Sequence, residues 1–220
     1  MTIAEALPDG GQATQFFGMR NLGRGRAGPV TPGGRGFQQV VFPERVAFGK
    51  DAYFNDVGHY LGDRLTEELL VFVAPNRDRP FFAYRADHAV NAPYDPSRIF
   101  RQSIGPRRRD DDRRNDPAHA ATVEAVDQGV GRIVAGLDRL RLTGPTVVIL
   151  TSDNEGTAQF TAPLRGGTGQ LYEGGIRVPL VVSRPGLTKP GTRCDAPVAS
   201  IDIHPTLLDL AGVASPPGQP

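Results

Sequence analysis

The chain has 220 residues, of which 39% are hydrophobic, and it contains 27 glycines and 20 prolines. This length suits one large α/β domain or two small ones, and the net charge of +1 gives no indication of binding to nucleic acid or to an acidic membrane surface. The single cysteine, Cys194, excludes an internal disulfide framework and a CxxC metal site, and no apolar run is long enough to span a bilayer.

The first part of the chain predicts a short helix, a strand and a long loop. Thr2 is placed to cap the helix, with Glu5 three residues later as its reciprocal partner. Residues 13–17 predict a strand. Residues 18–36 are rich in glycine, arginine and proline, which favours an irregular loop. The first ten residues have no basic region followed by an apolar core and do not predict a signal peptide.

A second helix and a second strand follow. Between residues 57 and 74, apolar side chains recur at helical spacing and share one face; they are Leu61, Leu65, Leu69 and Phe72. Residues 81–85 predict a buried strand. Residues 86–117 are mostly loop, and the charges at residues 107–114 (RRRDDDRR) nearly cancel, which is typical of a solvated segment.

The second half of the chain predicts two more helices and two more strands. Residues 118–140 have one apolar stripe, formed by Val123, Val126, Val130, Ile133, Val134 and Leu137. Residues 146–151 (TVVILT) and 178–183 (VPLVVS) are the continuous apolar runs typical of central parallel strands, and we expect them to be neighbours with the 118–140 helix on one face. Residues 201–210 predict a helix with Pro205 in its first turn. This order of elements favours an α/β fold with a mostly parallel central sheet flanked by helices.

The first candidate site residues follow the TVVILT strand. Ligands of α/β folds bind beyond the carboxyl ends of strands, and Asp153 and Asn154 lie directly after this one. Their adjacent oxygens suit a hard divalent cation such as calcium. A turn closed by side-chain hydrogen bonds explains the same residues, and this segment alone favours that interpretation.

A glycine-rich segment at residues 162–179 (APLRGGTGQLYEGGIRVP) changes that balance. Together with TSDN it closely resembles the sulfatase family, which carries TSDNG, APLRGGKG and LYEGGIRVP in this order. The resemblance extends to residues 196–198, 200–212, 122–140, 79–84 and 2–23, and so covers nearly the whole chain except for its inserts. It implies a scaffolding role for the loop residues Arg165, Gly166, Gly167, Glu173, Gly174, Gly175 and Arg177.

The resemblance implies a site with three parts: a formylglycine made from a CxPxR motif as nucleophile, a calcium ion, and lysines and histidines that neutralise the sulfate. Of the calcium ligands, Asp153 and Asn154 match. The basic positions correspond to Met19, Asn21, Asn91 and Thr168, all of which are neutral. The lone cysteine lies in TRCDAP, so no formylglycine is expected. Arg20 could restore one positive charge, and His88 is expected to be structural.

We therefore expect residues 1–220 to form a partial sulfatase catalytic domain, without the family's N-terminal segment for nucleophile and metal and without its C-terminal subdomain. The resemblance implies a sulfuric ester hydrolase with a sulfate ester substrate, and the altered positions indicate a degenerate, inactive copy that does not bind calcium. A non-catalytic binding protein on the same scaffold is the alternative. A phosphodiesterase of the alkaline-phosphatase-like superfamily is disfavoured by LYEGGIRVP. The compartment is left open.

Overall fold

A computed structural model describes residues 1–7, 11–19, 28–46, 53–54, 58–91 and 116–214. Its strands are β1 (Ala13–Gly18), β2 (Gln39–Val41), β3 (Phe81–Ala86), β4 (Val148–Thr151) and β5 (Leu180–Ser183). Its α-helices are α1 (Ile3–Ala6), α2 (Leu61–Val73), α3 (Pro117–Arg139), α4 (Ala158–Thr161), α5 (Glu173–Ile176) and α6 (Ser200–Leu210). Short 3₁₀ helices lie at Gly33–Arg35, Pro43–Val46 and Ala74–Asn76. No described helix has the length and apolar character needed to cross a membrane.

Three parallel strands form the first sheet, in the order β2-β1-β3. Ala13 lies opposite Phe81 and Gly18 opposite Ala86, so β1 and β3 pair along their full length. Both strands were predicted from the sequence, and both are confirmed. β1 is buried throughout, whereas β3 is half-buried instead of buried as predicted.

The main hydrophobic core lies between this sheet and α2. The predicted face of α2 is confirmed, because Leu61, Leu65, Leu69 and Phe72 are all buried in one cluster with Phe17 of β1. The α2 helix starts four residues later than predicted, at Leu61. The predicted capping box of α1 is also present: the Thr2 amide donates to Glu5 Oε2 at 2.6 Å, and the Glu5 amide donates to Thr2 Oγ1 at 3.2 Å.

The α3 helix is confirmed over Pro117–Arg139, but its predicted apolar stripe packs only in part, through Ile133 and Leu137 at the main core. Val123 and Val134 are exposed, and Leu137 is the one fully buried member of the stripe. Small residues form the buried face: Ala121, Thr122, Ala125, Gly129 and Gly136. The reason is close approach to α2, since a Cβ at Gly136 would lie 2.3 Å from Leu70 Cδ2. A larger side chain there would force the helices apart.

The β4 and β5 strands are neighbours as predicted, but two features of the prediction are wrong. They run antiparallel, with Val148 opposite Ser183 and Thr151 opposite Leu180, and they form a two-stranded sheet of their own among the described residues. A parallel pair needs a crossover connection, usually a helix. The chain between β4 and β5 contains only the four-residue helices α4 and α5, and it turns back directly.

The α6 helix closes the described chain over Ser200–Leu210. Pro205 lies inside the helix, beyond the first turn in which it was predicted, because the helix begins at Ser200 and the Ala199 amide already donates to Asp202 Oδ2 at 2.7 Å. Leu208 is fully buried against Ala6 and Leu7, so α6 packs on α1. Residues 20–27 of the predicted loop at 18–36 and residues 92–115 of the predicted loop at 86–117 lie outside the described residues.

Candidate functional site

The loop after β4 carries the two candidate metal ligands. Asp153 and Asn154 follow the carboxyl end of the strand, as predicted, and both are exposed. The Ser152 hydroxyl donates to the Asn154 carbonyl at 2.8 Å. The turn is therefore closed by Ser152, which leaves the carboxylate of Asp153 and the amide of Asn154 at the surface.

Three glycines fold the downstream loop tightly against this turn. A Cβ at Gly167 would lie 2.5 Å from the Ala158 nitrogen, one at Gly174 would lie 2.4 Å from the Gly166 oxygen, and one at Gly175 would lie 2.0 Å from the Gln170 oxygen. Real side chains do not tolerate such contacts with backbone. These glycines therefore allow three stretches of chain to meet at backbone distance.

Thr168 is brought to the candidate metal loop by this folding. Its amide donates to the Gly156 carbonyl at 3.0 Å, and its hydroxyl donates to the Glu155 carbonyl. The Glu155 amide also donates to the Gly175 carbonyl at 3.4 Å. The TSDN and LRGGTG motifs, separate in the sequence, thus form one hydrogen-bonded unit, and the Thr168 side chain is fixed within it.

The charged scaffold residues are held by neighbours on the same loop. The Arg165 guanidinium carbon lies 3.8 Å from the centroid of the Tyr172 ring, and Nη2 donates to the Tyr172 hydroxyl at 2.8 Å. Arg177 Nη1 donates to Glu173 Oε2 at 3.3 Å, one helical turn away. Both side chains of that second pair are largely exposed, and an exposed pair contributes little to stability.

Two further candidate positions lie at the carboxyl ends of β1 and β3. The Met19 amide donates to the Ala86 carbonyl at 2.9 Å, directly beyond β1. Asn91 follows β3, and its carbonyl accepts a hydrogen bond of 2.5 Å from the Tyr53 hydroxyl. The His88 ring lies 4.8 Å from the Tyr53 ring, between centroids, which agrees with the structural role expected of it. Asn21 and Arg20 lie outside the described residues.

The pKa of Tyr84 on β3 is affected by burial and by the charge of Asp153 in the loop after β4. Burial raises the pKa of its phenol, and the nearby negative charge of Asp153 raises it further. Among the described residues, β3 and β4 belong to separate sheets and are not hydrogen-bonded to each other. The structure places Thr168 against the residues that follow Asp153 and Asn154, and it places Met19 directly beyond β1 and Asn91 in the segment that follows β3.

The sequence interpretation missed an ion pair at the end of β3. Arg85 Nη2 donates to Asp87 Oδ1 at 2.9 Å, and the same guanidinium donates to Thr66 Oγ1 at 2.8 Å and to the Gly62 carbonyl at 3.1 Å. Burial raises the pKa of the Asp87 carboxyl, and Arg85 opposes that shift. The signal in the sequence was an arginine and an aspartate two residues apart at a strand end, and their partners on α2 are visible only in the fold.

The described residues do not fit a calcium ion. None of them form a group of three or more histidines, cysteines, aspartates and glutamates that could hold a metal. Asp153 and Asn154 together supply two side-chain ligands, whereas calcium takes six to eight oxygens. Cys194, the single cysteine, is exposed.

The chain is similar to known sulfatases along its length. The sulfatase family model matches residues 1–213. The steryl-sulfatase of Rattus norvegicus is 33% identical over 168 residues, which cover 71% of this chain and 27% of that protein. A sulfatase of Formosa agariphila is 34% identical over 170 residues, covering 71% of this chain and 31% of that protein.

The solved structures agree on the fold. Ps i-CgsB in complex with k-i-k-neocarrahexaose superposes with a TM-score of 0.81 and 25% identity, over 99% of this chain and 54% of that chain. This similarity confirms the predicted α/β class, with a parallel sheet flanked by helices. The chain spans less than a third of the two curated relatives and about half of this solved chain.

Proposed function

The chain belongs to the sulfatase family, and from this premise we propose that it has the sulfatase scaffold but does not itself hydrolyse sulfate esters. In this proposal, neutral residues occupy the positions at which the family binds the sulfate group. The substrate class that the family implies is a sulfate ester. Such a substrate carries a full negative charge, and the reaction places more negative charge on the leaving oxygen, so its catalysis depends on preorganised positive groups. To catalyse this reaction, the chain would have to supply such positive groups.

Thr168 is the observation that carries the proposal. It occupies the position at which the family motif has a sulfate-binding lysine, and its hydroxyl donates to the Glu155 carbonyl. A short neutral side chain engaged with the backbone cannot neutralise a sulfate group. Losing one preorganised contact of this kind costs roughly a hundredfold or more in rate.

The other altered positions support the same interpretation. Met19 and Asn91 stand at the ends of β1 and β3, where the family motifs have a lysine and a histidine, and Asn21 replaces a second histidine. Rate losses from several such positions multiply when the positions act independently. The combined loss is large enough to remove measurable turnover.

Hydrolysis also requires a nucleophile, and this requirement is independent of the positive groups. These 220 residues contain one cysteine and no CxPxR motif, because Cys194 lies in the sequence TRCDAP. In the family, formylglycine forms at a CxPxR motif and attacks sulfur. We propose that this chain carries no formylglycine, and that Asp153 and Asn154 bind calcium only weakly.

A second candidate function is favoured by the surface of the β4–β5 sheet. Val181 is 55% exposed and Val182 is 40% exposed, and exposed apolar strands mark surfaces that bind other polypeptides. A non-catalytic interaction protein on a sulfatase scaffold is therefore the alternative to a degenerate hydrolase.

The test of the proposed function is an assay with an activated aryl sulfate. The purified chain should release phenolate no faster than buffer, with or without coexpressed formylglycine-generating enzyme and with or without calcium. The variant carrying Met19→Lys, Asn21→His, Asn91→His and Thr168→Lys should be equally inactive, because it restores charge without a nucleophile.

If activity is observed, two alanine variants test whether it belongs to this chain. If the unaltered chain exceeds the buffer rate, and Asn91→Ala or Thr168→Ala slows it by tenfold or more (about 1.4 kcal/mol of transition-state stabilisation), the neutral residues are catalytic and the proposal is wrong. If the rate is unaffected by both variants, the activity is a contaminant.

A further inference from the structure

The Arg85 guanidinium lies between α2 and α3, at the carboxyl end of β3. On the α2 side it donates to Thr66 Oγ1 at 2.8 Å and to the Gly62 carbonyl at 3.1 Å. On the α3 side it lies against Gly129, where an added Cβ would be 3.2 Å from Arg85 Nη2. The Arg85 side chain is 10% exposed, and it joins β3 to both helices.

Asp87 supplies the negative charge that compensates this guanidinium. Asp87 Oδ1 accepts from Arg85 Nε at 3.1 Å and from Arg85 Nη2 at 2.9 Å. The acceptors on α2 are neutral, so Asp87 is the single carboxylate paired with Arg85 among the described residues. A buried guanidinium that loses its carboxylate partner keeps an uncompensated charge, which favours movement of the side chain into water.

Protons can reach the Asp87 carboxylate while the chain is folded. Its side chain keeps 20% exposure and lines a cavity together with Tyr53, Tyr60 and His88. Burial raises the pKa of the Asp87 carboxyl, and Arg85 opposes that shift. Asp87 therefore takes up a proton at a pH at which exposed aspartates are still ionised.

The other groups around this carboxylate come from α3, from the chain leading into α2 and from the segment after β3. α3 presents the apolar residues Ala125 and Val126. The chain leading into α2 presents the phenols of Tyr53 and Tyr60, and burial raises the pKa of Tyr60, which stays neutral below about pH 10. The segment after β3 presents His88. Histidine commonly changes its charge between about pH 5 and about pH 8, so His88 needs a control of its own.

Two backbone hydrogen bonds report on the chain on either side of Asp87. The Met19 amide donates to the carbonyl of Ala86 at 2.9 Å, and the Asn91 amide donates to the carbonyl of His88 at 3.1 Å. Both amides belong to positions at which the family motifs have basic residues.

We propose that the Arg85–Asp87 pair is a pH-operated latch: when Asp87 takes up a proton, Arg85 leaves the gap between α2 and α3 and the end of β3 is released. Global stability has the opposite sign. Because the pKa of Asp87 is raised above its ordinary value of 3.8, its contribution to the free energy of unfolding is present below that value and is lost as the pH rises through the raised pKa. Proton uptake by Asp87 therefore opens the latch locally without unfolding the chain. The proposal does not depend on whether the chain hydrolyses sulfate esters.

Nuclear magnetic resonance of the unaltered chain tests the latch without a variant. The carboxyl carbon shift of Asp87 reports its protonation as the pH is lowered from about 7 to about 4, a range above the ordinary aspartate pKa. Protection of the Met19 and Asn91 amides, corrected for the intrinsic pH dependence of exchange, should fall about tenfold or more with the same midpoint. Protection in the middle of α2 should not change.

Three variants separate the latch from its neighbours. Asp87→Asn removes the titrating group and should leave both amides weakly protected at every pH. Asp63→Asn is the matched control, because Asp63 on α2 pairs with Arg132 across the same two helices but both side chains are nearly half exposed. His88→Phe keeps a ring against Tyr53. The pH dependence should persist in these last two variants.

The proposal is overturned if the protection of the two amides stays constant while Asp87 titrates, or if Asp87 titrates no higher than an exposed aspartate. It is equally overturned if Asp87→Asn keeps the pH dependence or if His88→Phe abolishes it. If Asp87→Asn does not fold, the titration of the unaltered chain decides between these outcomes.

Discussion

The strands of the two sheets have similar sequence patterns, but the two sheets differ in their burial and strand direction. Phe17 of β1 and Leu65 of α2 are both 0% exposed, and the first sheet is parallel and packed on a helix. In the second sheet, which is antiparallel, Val181 is 55% exposed. Both regions contain short strands in which apolar side chains predominate. An apolar run therefore predicts that a strand forms, but it does not predict what covers the strand.

The largest expected effect comes from truncating the core of the first sheet. Phe17→Ala should lower the free energy of unfolding by about 3–5 kcal/mol, because the ring packs in T-shaped contact with Phe72, 5.9 Å between centroids. Val181→Ala removes an exposed side chain and should change it by no more than about 0.5 kcal/mol. Urea denaturation followed by circular dichroism at low protein concentration measures both.

Equal losses in the two variants would contradict the comparison, because they would mean that the second sheet is as well covered as the first in the isolated chain.

Much of the first region was predictable from local patterns. The four apolar residues of α2 recur at helical spacing, and all four are buried. The same rule held only in part for α3, because Leu137 is buried at the core but close packing otherwise selected the face with Gly129 and Gly136. Helix–helix distance depends on which helix lies opposite, and a single periodicity does not contain that information.

The candidate site divides in the same way. The position of Asp153 and Asn154 after a strand followed from the sequence, since the end of an apolar run is a local feature. The antiparallel return of β5 did not follow, because strands of either direction have the same alternation of side chains. The hydrogen bond from Thr168 to Glu155 and the pairing of Arg85 with Thr66 join residues 13 and 19 positions apart, and such partners are set by the tertiary fold.

The loop that holds Thr168 offers an intermediate effect. Gly175→Ala would place a methyl group 2.0 Å from the Gln170 oxygen and 2.6 Å from the Gly167 oxygen. The loop must open to accommodate it, at a cost of about 1–3 kcal/mol. The Thr168 amide, which donates to Gly156, should then exchange its hydrogen about tenfold faster or more.

Gly131→Ala is the matched control for that prediction. Gly131 lies inside α3 with nothing within 4 Å of an added Cβ, so alanine there should stabilise the chain by about 0.5–1 kcal/mol and leave the Thr168 amide unchanged. Unchanged exchange in Gly175→Ala would contradict the tight packing of this loop on the β4 turn.

The smallest expected effect concerns the ionisation of Tyr84. It tests whether the loop after β4 lies near β3. Burial raises the pKa of this phenol above its ordinary value of 10.0, and the Asp153 carboxylate raises it further, since two negative charges repel. Asp153→Asn removes the second cause and should move the pKa back toward 10.0 without abolishing the shift, because the ring still stacks on Phe16 at 5.6 Å.

The chain has five tyrosines, so near-ultraviolet absorbance titrations should be compared with the same titrations of Tyr84→Phe. Asp138→Asn serves as the control, because Asp138 on α3 is not among the causes of the Tyr84 shift. Added salt should reduce the difference between the unaltered chain and Asp153→Asn, since Asp153 is exposed and its charge is screened over about 10 Å at 0.1 M. A Tyr84 pKa that is the same with aspartate and asparagine at position 153 would place the β4 turn away from β3.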